Sequence, residues 1–550
     1  MLRTVERFAA GRRWIVTAAL VLVAACSGPD ESTPSATADA ASATESLRIL
    51  RRGNGPEPET LDPQKARQDS SLNILRDLFE GLTSLDRDAN VVPGAAETWA
   101  VSDDGLIYTF TLREGLTWAN GDPLVAADFR NGMRRLVDPA TASAYANILA
   151  PVENAARIVA GALPPEALGV EAPDERTLVI RLAAPAPYVL GLLAHPSTFP
   201  VHGPSLDLHG DDFARPGNLV SNGAFVLTEW VLGSHVAAQR NPRYRSAGDV
   251  RLDGVRYYHM ADAGSELRRY RAGELDVTYT IANQQYEWLK ENLGDQLEVG
   301  PQLSVYYYGF NLTRPPFRDA PELRKALSLA LDRERIVRQV TGLGELPACS
   351  WIPDGVADYT PQRFEYCDWP VAQRLAEARR LYAAAGYSAE RPLRIEIRYN
   401  TGEVHNRIAV AVAAMWKEAL GVESRLHAEE FRVLNQTILA RDVTEVFRSS
   451  WIGDYNDPWT FAQLLQSDFG INLTGYSSPD YDALLAEAAA AADPAERRRL
   501  LEQAERTMLA DHPLLPIYFF VNKHLVAPHV RGFSNNVMNV QYSKDLWFER

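Results

Sequence analysis

Cysteine is scarce in this chain, three residues in 550, and cysteine and histidine never cluster at zinc spacing. There is no GxSxG nucleophile elbow, no GxxxxGK loop followed by Ser or Thr to cradle phosphate, and no HExxH helix. These absences remove the sequence signatures of α/β-hydrolases, P-loop NTPases and zinc peptidases. His195, His202 and His209 recur every seven residues, but the stretch between them is broken by proline and gives no shared helical face for a metal. Past the N-terminus no apolar run reaches the ~18 residues of a membrane span. Positive charge is also short: the formal charge is −15, with only six lysines. The first 25 residues carry Arg3, Arg7, Arg12 and Arg13 against Glu6, so the remainder is more acidic still. Such a body does not suit nucleic acid as a partner. Carboxylates are abundant, and a pair assembled in space for glycoside hydrolysis is the one chemistry that spacing leaves open.

What is present begins at the N-terminus. Arg12 and Arg13 precede the apolar stretch 14–25, too short to span a bilayer and suited to a secretory signal. It ends in Val23-Ala24-Ala25-Cys26-Ser27-Gly28, which resembles a bacterial lipobox, with Cys26 as the lipidated residue. Residues 1–25 are the expected signal peptide. Residues 26–46, rich in Ser, Ala and Thr, are the expected flexible tether, reaching at most about 70 Å. An extracytoplasmic location favours pairing of the other two cysteines, Cys349 and Cys367, over two free thiols.

The length suggests about three or four folding units. Alternation of Tyr108, Phe110 and Leu112 with polar residues predicts a strand over 106–113. Asp319-Ala320-Pro321-Glu322 and Asp493-Pro494-Ala495-Glu496 both read as capping boxes with proline in the first turn. A strand over 393–399, a helix over 404–420 ending at Gly421 and a strand over 422–426 predict a βαβ crossover on a parallel sheet.

Residues 52–145 then carry RGNGPEPETLDPQKA, RDLFEGL, VPGAAETW, TFTLREGLTWANGDPLVAADF and DPATASAYA in order. Farther on come NGAFVLTEW, YRAGELDVT, YYYGFN, ALDRERIV, WIGDYNDPWTF and LPIYFFVN. Together these resemble the family-5 bacterial extracellular solute-binding proteins, the oligopeptide-binding branch in particular. The resemblance implies an α/β fold of the periplasmic-binding-protein type (cluster C), two lobes with a hinge and an additional third domain. It places lobe I at 47–80, 204–303 and 521–550, the extra domain at 81–203 and lobe II at 304–520. It implies a monomer without cofactor or enzymatic activity, short peptides as ligand, and an ABC permease of the inner membrane as partner.

The resemblance also assigns a site. Asp454, in Trp451-Ile452-Gly453-Asp454-Tyr455-Asn456-Asp457-Pro458, would bind the peptide α-amino group. A terminal amine, pKa about 7.7–8.0, is cationic at neutral pH, and a carboxylate in a dry cleft offers it a charge-assisted hydrogen bond. Read without the resemblance, Asp454 is a turn acid. The backbone of Ser450, Trp451 and Ile452 would pair with the ligand's main chain. Trp451, Tyr145, Tyr279 and Phe431 would line side-chain pockets, although each alone reads as a core aromatic. Arg448 would meet the ligand's C-terminal carboxylate. A second such arginine cannot be aligned, with Arg441 as its candidate. Arg67 and Asp69 replace what is often an acid and an apolar residue near the ligand's third residue. Competing readings keep the fold but change the ligand to a murein peptide, haem or a metal chelate, or make the protein a secreted hydrolase, an adhesin or a partner of a membrane sensor.

Overall fold

The computed structural model describes residues 47–441 and 445–549. Cys26 and the tether lie outside the described residues. In chain order the strands that build the main sheets are β1 (Ile49–Gly53), β2 (Ala96–Val101), β3 (Ile107–Leu112), β4 (Val170–Glu171), β5 (Thr177–Arg181), β6 (Phe225–Val231), β7 (His235–Arg240), β8 (Gly254–Tyr258), β9 (Leu297–Phe310), β10 (Leu346–Pro347), β11 (Arg394–Asn400), β12 (Glu423–Glu429), β13 (Val446–Ile452) and β14 (Leu514–Leu525). They form a four-stranded sheet of order β1-β8-β7-β6, a second of order β2-β3-β5-β4, and a six-stranded sheet of order β10-β14-β9-β13-β11-β12.

Apolar residues gather into two large cores. One joins the two four-stranded sheets, holding Leu50, Phe110, Phe129, Ile180, Phe225 and Tyr257. The other surrounds the six-stranded sheet, with Tyr306, Phe310, Leu327, Trp416 and Ile517. β9 and β14 run antiparallel from one core to the other, and their register breaks between Pro301 and Val305. Pro301 has no N–H to give the ladder. At the preceding Gly300 a Cβ would lie 2.6 Å from the Asn535 carbonyl oxygen, so no larger residue fits there without a shift.

The predicted βαβ unit is present: β11, the helix α1 (Glu403–Leu420) and β12, with the strands parallel from Arg394 opposite Glu423 to Asn400 opposite Glu429. Gly421 ends the helix in the left-handed region at φ 75°. Asp493 caps the helix Pro494–Asp511, accepting from the N–H groups of Ala495 and Glu496, both at 3.3 Å. Asp319 does not act as a cap. The helix Pro321–Leu329 starts after Ala320, and Asp319 turns to Arg318 at 2.7 Å. Cys349 and Cys367 are bonded, with their Cα atoms 6.1 Å apart.

Candidate ligand-binding site

β13 is the centre of the site because half of it has one neighbour only. β9 pairs with it along its whole length, Ser304 opposite Ile452 to Phe310 opposite Val446. β11 meets it only at Val446 and Phe447. Beyond the Arg448 N–H, the second edge as far as Ile452 has no partner strand among the described residues. Parity decides which groups lie there. Gly453 N–H donates to Leu303 O at 2.8 Å and Asn311 N–H to Glu445 O at 3.0 Å, so Trp451 also faces β9. Arg448 alternates with these and gives its N–H to β11 through the Arg398–Phe447 pairing, while Ser450 and Ile452 turn N–H and C=O to the open edge.

The chain beyond β13 is a turn in which almost every residue has a structural task. Gly453 packs against Leu303, where a Cβ would lie 2.5 Å from a methyl. Tyr455 stacks on Tyr188 with centroids 4.9 Å apart. Asn456 donates to Ala89 O at 3.0 Å and accepts from Ala357 N at 3.1 Å. Asp457 takes two 2.8 Å bonds from Arg497 and a third from Trp459 N–H. Asp454 is the exception: no hydrogen bond or ion pair reaches it among the described residues. It is solvent-accessible, yet burial pushes its carboxyl pKa up. Its carboxylate is thus open to solvent on one side and surrounded by protein on the others.

Tyr145 and Tyr279 complete this end. The Tyr145 phenol is raised first by burial, then by the charges of Asp454 and Asp69, so all three share one region. Its ring packs 4.5 Å from that of His195. Tyr279 is half-buried, and burial, then the charges of Asp69 and Glu266, push its phenol pKa up. Trp451 is half-buried with its indole N–H on Thr460 Oγ1 at 3.2 Å. Phe431 stands 52% exposed at the start of the helix Phe431–Ala440, and no aromatic contact among the described residues ties it to the others.

At the far end lies Arg448, 8% exposed, with no carboxylate partner among the described residues. Its guanidinium sits 4.6 Å over the Tyr306 ring and donates to Asn400 Oδ1 at 3.0 Å and Ser450 Oγ at 3.3 Å, leaving Nε without an acceptor. His405 meets the Tyr306 hydroxyl at 3.2 Å, and burial, then Arg448, lower its pKa to about 4. Tyr306, Asn400 and His405 were not anticipated, since three distant stretches meet here. Arg441 is not part of this cluster. Its guanidinium is committed to Asn472 O, and its backbone turns in the left-handed region at φ 55°.

Residues 90–473 match the family described as bacterial extracellular solute-binding proteins, family 5 Middle. The chain belongs to the family-5 solute-binding proteins. Among its relatives in this family, the periplasmic oligopeptide-binding protein OppA of Salmonella typhimurium is 37% identical over 507 residues, 91% of this chain and 92% of that protein. The probable deoxycholate-binding periplasmic protein YgiS of Escherichia coli is 39% identical over 505 residues, 91% of this chain and 94% of that protein. The fold matches the unliganded open form of the murein tripeptide binding protein MppA with TM-score 0.87 at 36% identity, covering 92% of this chain and 98% of that one. It matches Haemophilus influenzae OppA in complex with RPPGFSPFR with TM-score 0.69 at 34% identity, covering 92% and 99%. At similar identity and coverage, the TM-score to the unliganded open form is higher than that to the peptide complex. These relatives are binding proteins, periplasmic by description, and no helix among the described residues is long and apolar enough to cross a membrane.

Proposed function

We propose that the protein is a lipid-anchored extracytoplasmic receptor that captures short peptides between two lobes and hands them, chemically unchanged, to an ABC permease. The observation that carries this reading is Asp454, a recessed carboxylate without a partner among the described residues, at the end of a strand edge that has no partner strand among them. A peptide supplies what both lack: an ammonium for Asp454 and main-chain donors and acceptors for Ser450 and Ile452. Arg448, buried without a counter-ion among the described residues at the other end of the edge, receives the terminal carboxylate. Tyr145, Tyr279 and Trp451 border the ligand's side chains, and Phe431 reaches it on closure.

The lobes divide at 303/304 and 520/521, with 81–203 as the extra domain. The register break after Pro301 and the separation of the two cores support that division, and the shared core of the four-stranded sheets supports an extra domain that moves with lobe I. Cys26 carries the lipid, and the receptor acts as a monomer.

The relative described as deoxycholate-binding favours a second occupant of the same cleft, an amphipathic carboxylate without an amine. Titration of the purified protein with a free tripeptide, its N-acetylated form and deoxycholate separates the two. Tight binding of the free tripeptide, weakened by acetylation, supports the peptide reading. Binding of deoxycholate with neither tripeptide bound replaces it.

A further inference from the structure

The helix Pro494–Asp511 carries a buried carboxyl group that takes donors and no cation. Glu505 is 3% exposed, and no ion pair reaches it among the described residues. Its Oε1 accepts the N–H groups of Trp351 at 3.0 Å and Ile352 at 2.9 Å. Its Oε2 accepts the Gln362 N–H at 2.8 Å and the Tyr359 hydroxyl at 2.7 Å. All four donors belong to the stretch 351–362, inside the loop closed by Cys349 and Cys367. That stretch has no helix or strand of its own, so Glu505 serves its main chain as a sheet partner would. Burial without a cation is unfavourable, and the four bonds offset it only while the loop stays in one place.

From this held stretch, contacts run to the turn that carries Asp454. The Trp351 indole N–H donates at 3.0 Å to Phe461 O, in the short helix Trp459–Ala462 just after the turn. Its ring meets those of Phe461 and Tyr307 edge-on, with centroids 6.0 and 5.0 Å away. Farther along, Ala357 N–H reaches Asn456 Oδ1 at 3.1 Å, inside the turn itself. Between these two points Gly355, at φ 91°, passes the register break of β9: a Cβ there would lie 3.7 Å from Cγ of Pro301. Asp454 makes no bond among the described residues that would hold its own place, so its neighbours must hold it.

We infer that Glu505 is a positioning residue for ligand binding: through Trp351 and Ala357 it sets the place of Asp454 and so the grip on the ligand's amine. A charge-assisted hydrogen bond depends on angle and distance, so a shift of the turn weakens it. Glutamine at 505 keeps the shape but has one oxygen, and its NH2 faces two donors. The inference rests on the peptide reading above.

Calorimetric titration of the full chain with a tripeptide and its N-acetylated form, on wild type and Glu505→Gln, tests it. The ratio of the two affinities reports the hold on the amine, and a general loosening of the fold leaves it unchanged. Glu505→Gln should lower the ratio about tenfold and keep the affinity for the acetylated peptide within about twofold. On an Asp454→Ala background it should alter neither affinity by more than that. Should Glu505→Gln fail to fold, Tyr359→Phe removes one donor of the four and should lower the ratio about threefold. An unchanged ratio in the folded variant overturns the inference, whatever its melting temperature, and leaves the peptide reading standing. Equal affinities of wild type for the two peptides overturn it together with the role of Asp454. If wild type binds neither peptide, the peptide reading falls as well.

Discussion

Asp454 and Asp457 stand three residues apart in one turn, and among the described residues only Asp457 is paired, its two oxygens each 2.8 Å from Arg497. The second acid does the work of the turn: it neutralises the half-buried Arg497 and accepts the Trp459 N–H at the start of the short helix that follows. The first does none of it, and so is left available to a ligand.

The first prediction is a coupling. Removing one partner of a buried charge pair costs about 3–5 kcal/mol, so Asp454→Ala should weaken peptide binding by roughly two to three powers of ten. N-acetylating the peptide should weaken binding to wild type as well. The two losses should not add, since both delete one interaction. Titration calorimetry of the four combinations measures this; losses that add in full place the amine elsewhere.

Without ligand the same group is a burden, and pH reveals it. The folded carboxyl pKa is raised above its ordinary 3.8 by burial. The unliganded fold therefore binds more protons than the unfolded chain over that window, and stability falls as pH rises through the raised value. Asp454→Asn escapes this, so its melting temperature should exceed that of wild type at neutral pH, with the difference closing below about pH 3. Melting curves of the unliganded proteins across pH decide it; a gap that widens in acid contradicts the cause given.

The parity of β13 separates two neighbouring prolines. Ser450 turns its N–H to the open edge, and Ser450→Pro removes one ligand hydrogen bond, a loss of about fivefold in affinity with little change in melting temperature. Trp451 turns its N–H to β9, and Trp451→Pro should lower the melting temperature strongly. Calorimetry and melting curves on both variants check the contrast, and equal destabilisation would refute the assigned parity.

The bond between Cys349 and Cys367 closes a loop of sequence separation 18. In the chain-entropy model such a loop contributes about 3 kcal/mol. Cys349→Ser with Cys367→Ser should lower unfolding stability by that order, read by denaturant titration, and reductant should then have no further effect on the variant.

Cys26→Ser should move the protein from membrane to soluble fractions. A variant that still sediments with membranes shows that the lipid is not on Cys26.

Local signals were legible in the sequence. The βαβ unit follows from a change of period between 393 and 426, and the cap at Asp493 from the residues around it. The cap read at Asp319 failed because the same four-residue pattern also fits an acid drawn off by the preceding Arg318. Cys349 and Cys367 were legible as a pair from their scarcity and expected compartment. The open edge was not, for it depends on how soon β11 parts from β13, a matter of packing between stretches some fifty residues apart. Likewise Arg448 could be aligned, but its lack of a counter-ion among the described residues emerges only when Asn400, Ser450 and Tyr306 are seen to supply its contacts without supplying a negative charge.

The open edge of β13 has a consequence for how the protein behaves in a crowd of its own kind. Unpaired strand edges are where separate molecules join sheet to sheet and begin to aggregate. Here the exposed stretch is only Arg448 to Ile452, and Asp454 just beyond it is recessed in the cleft. The edge of another folded sheet arrives with its neighbouring strands and cannot follow it in. A single extended chain can, so depth leaves the edge open to a peptide while shielding it from another sheet.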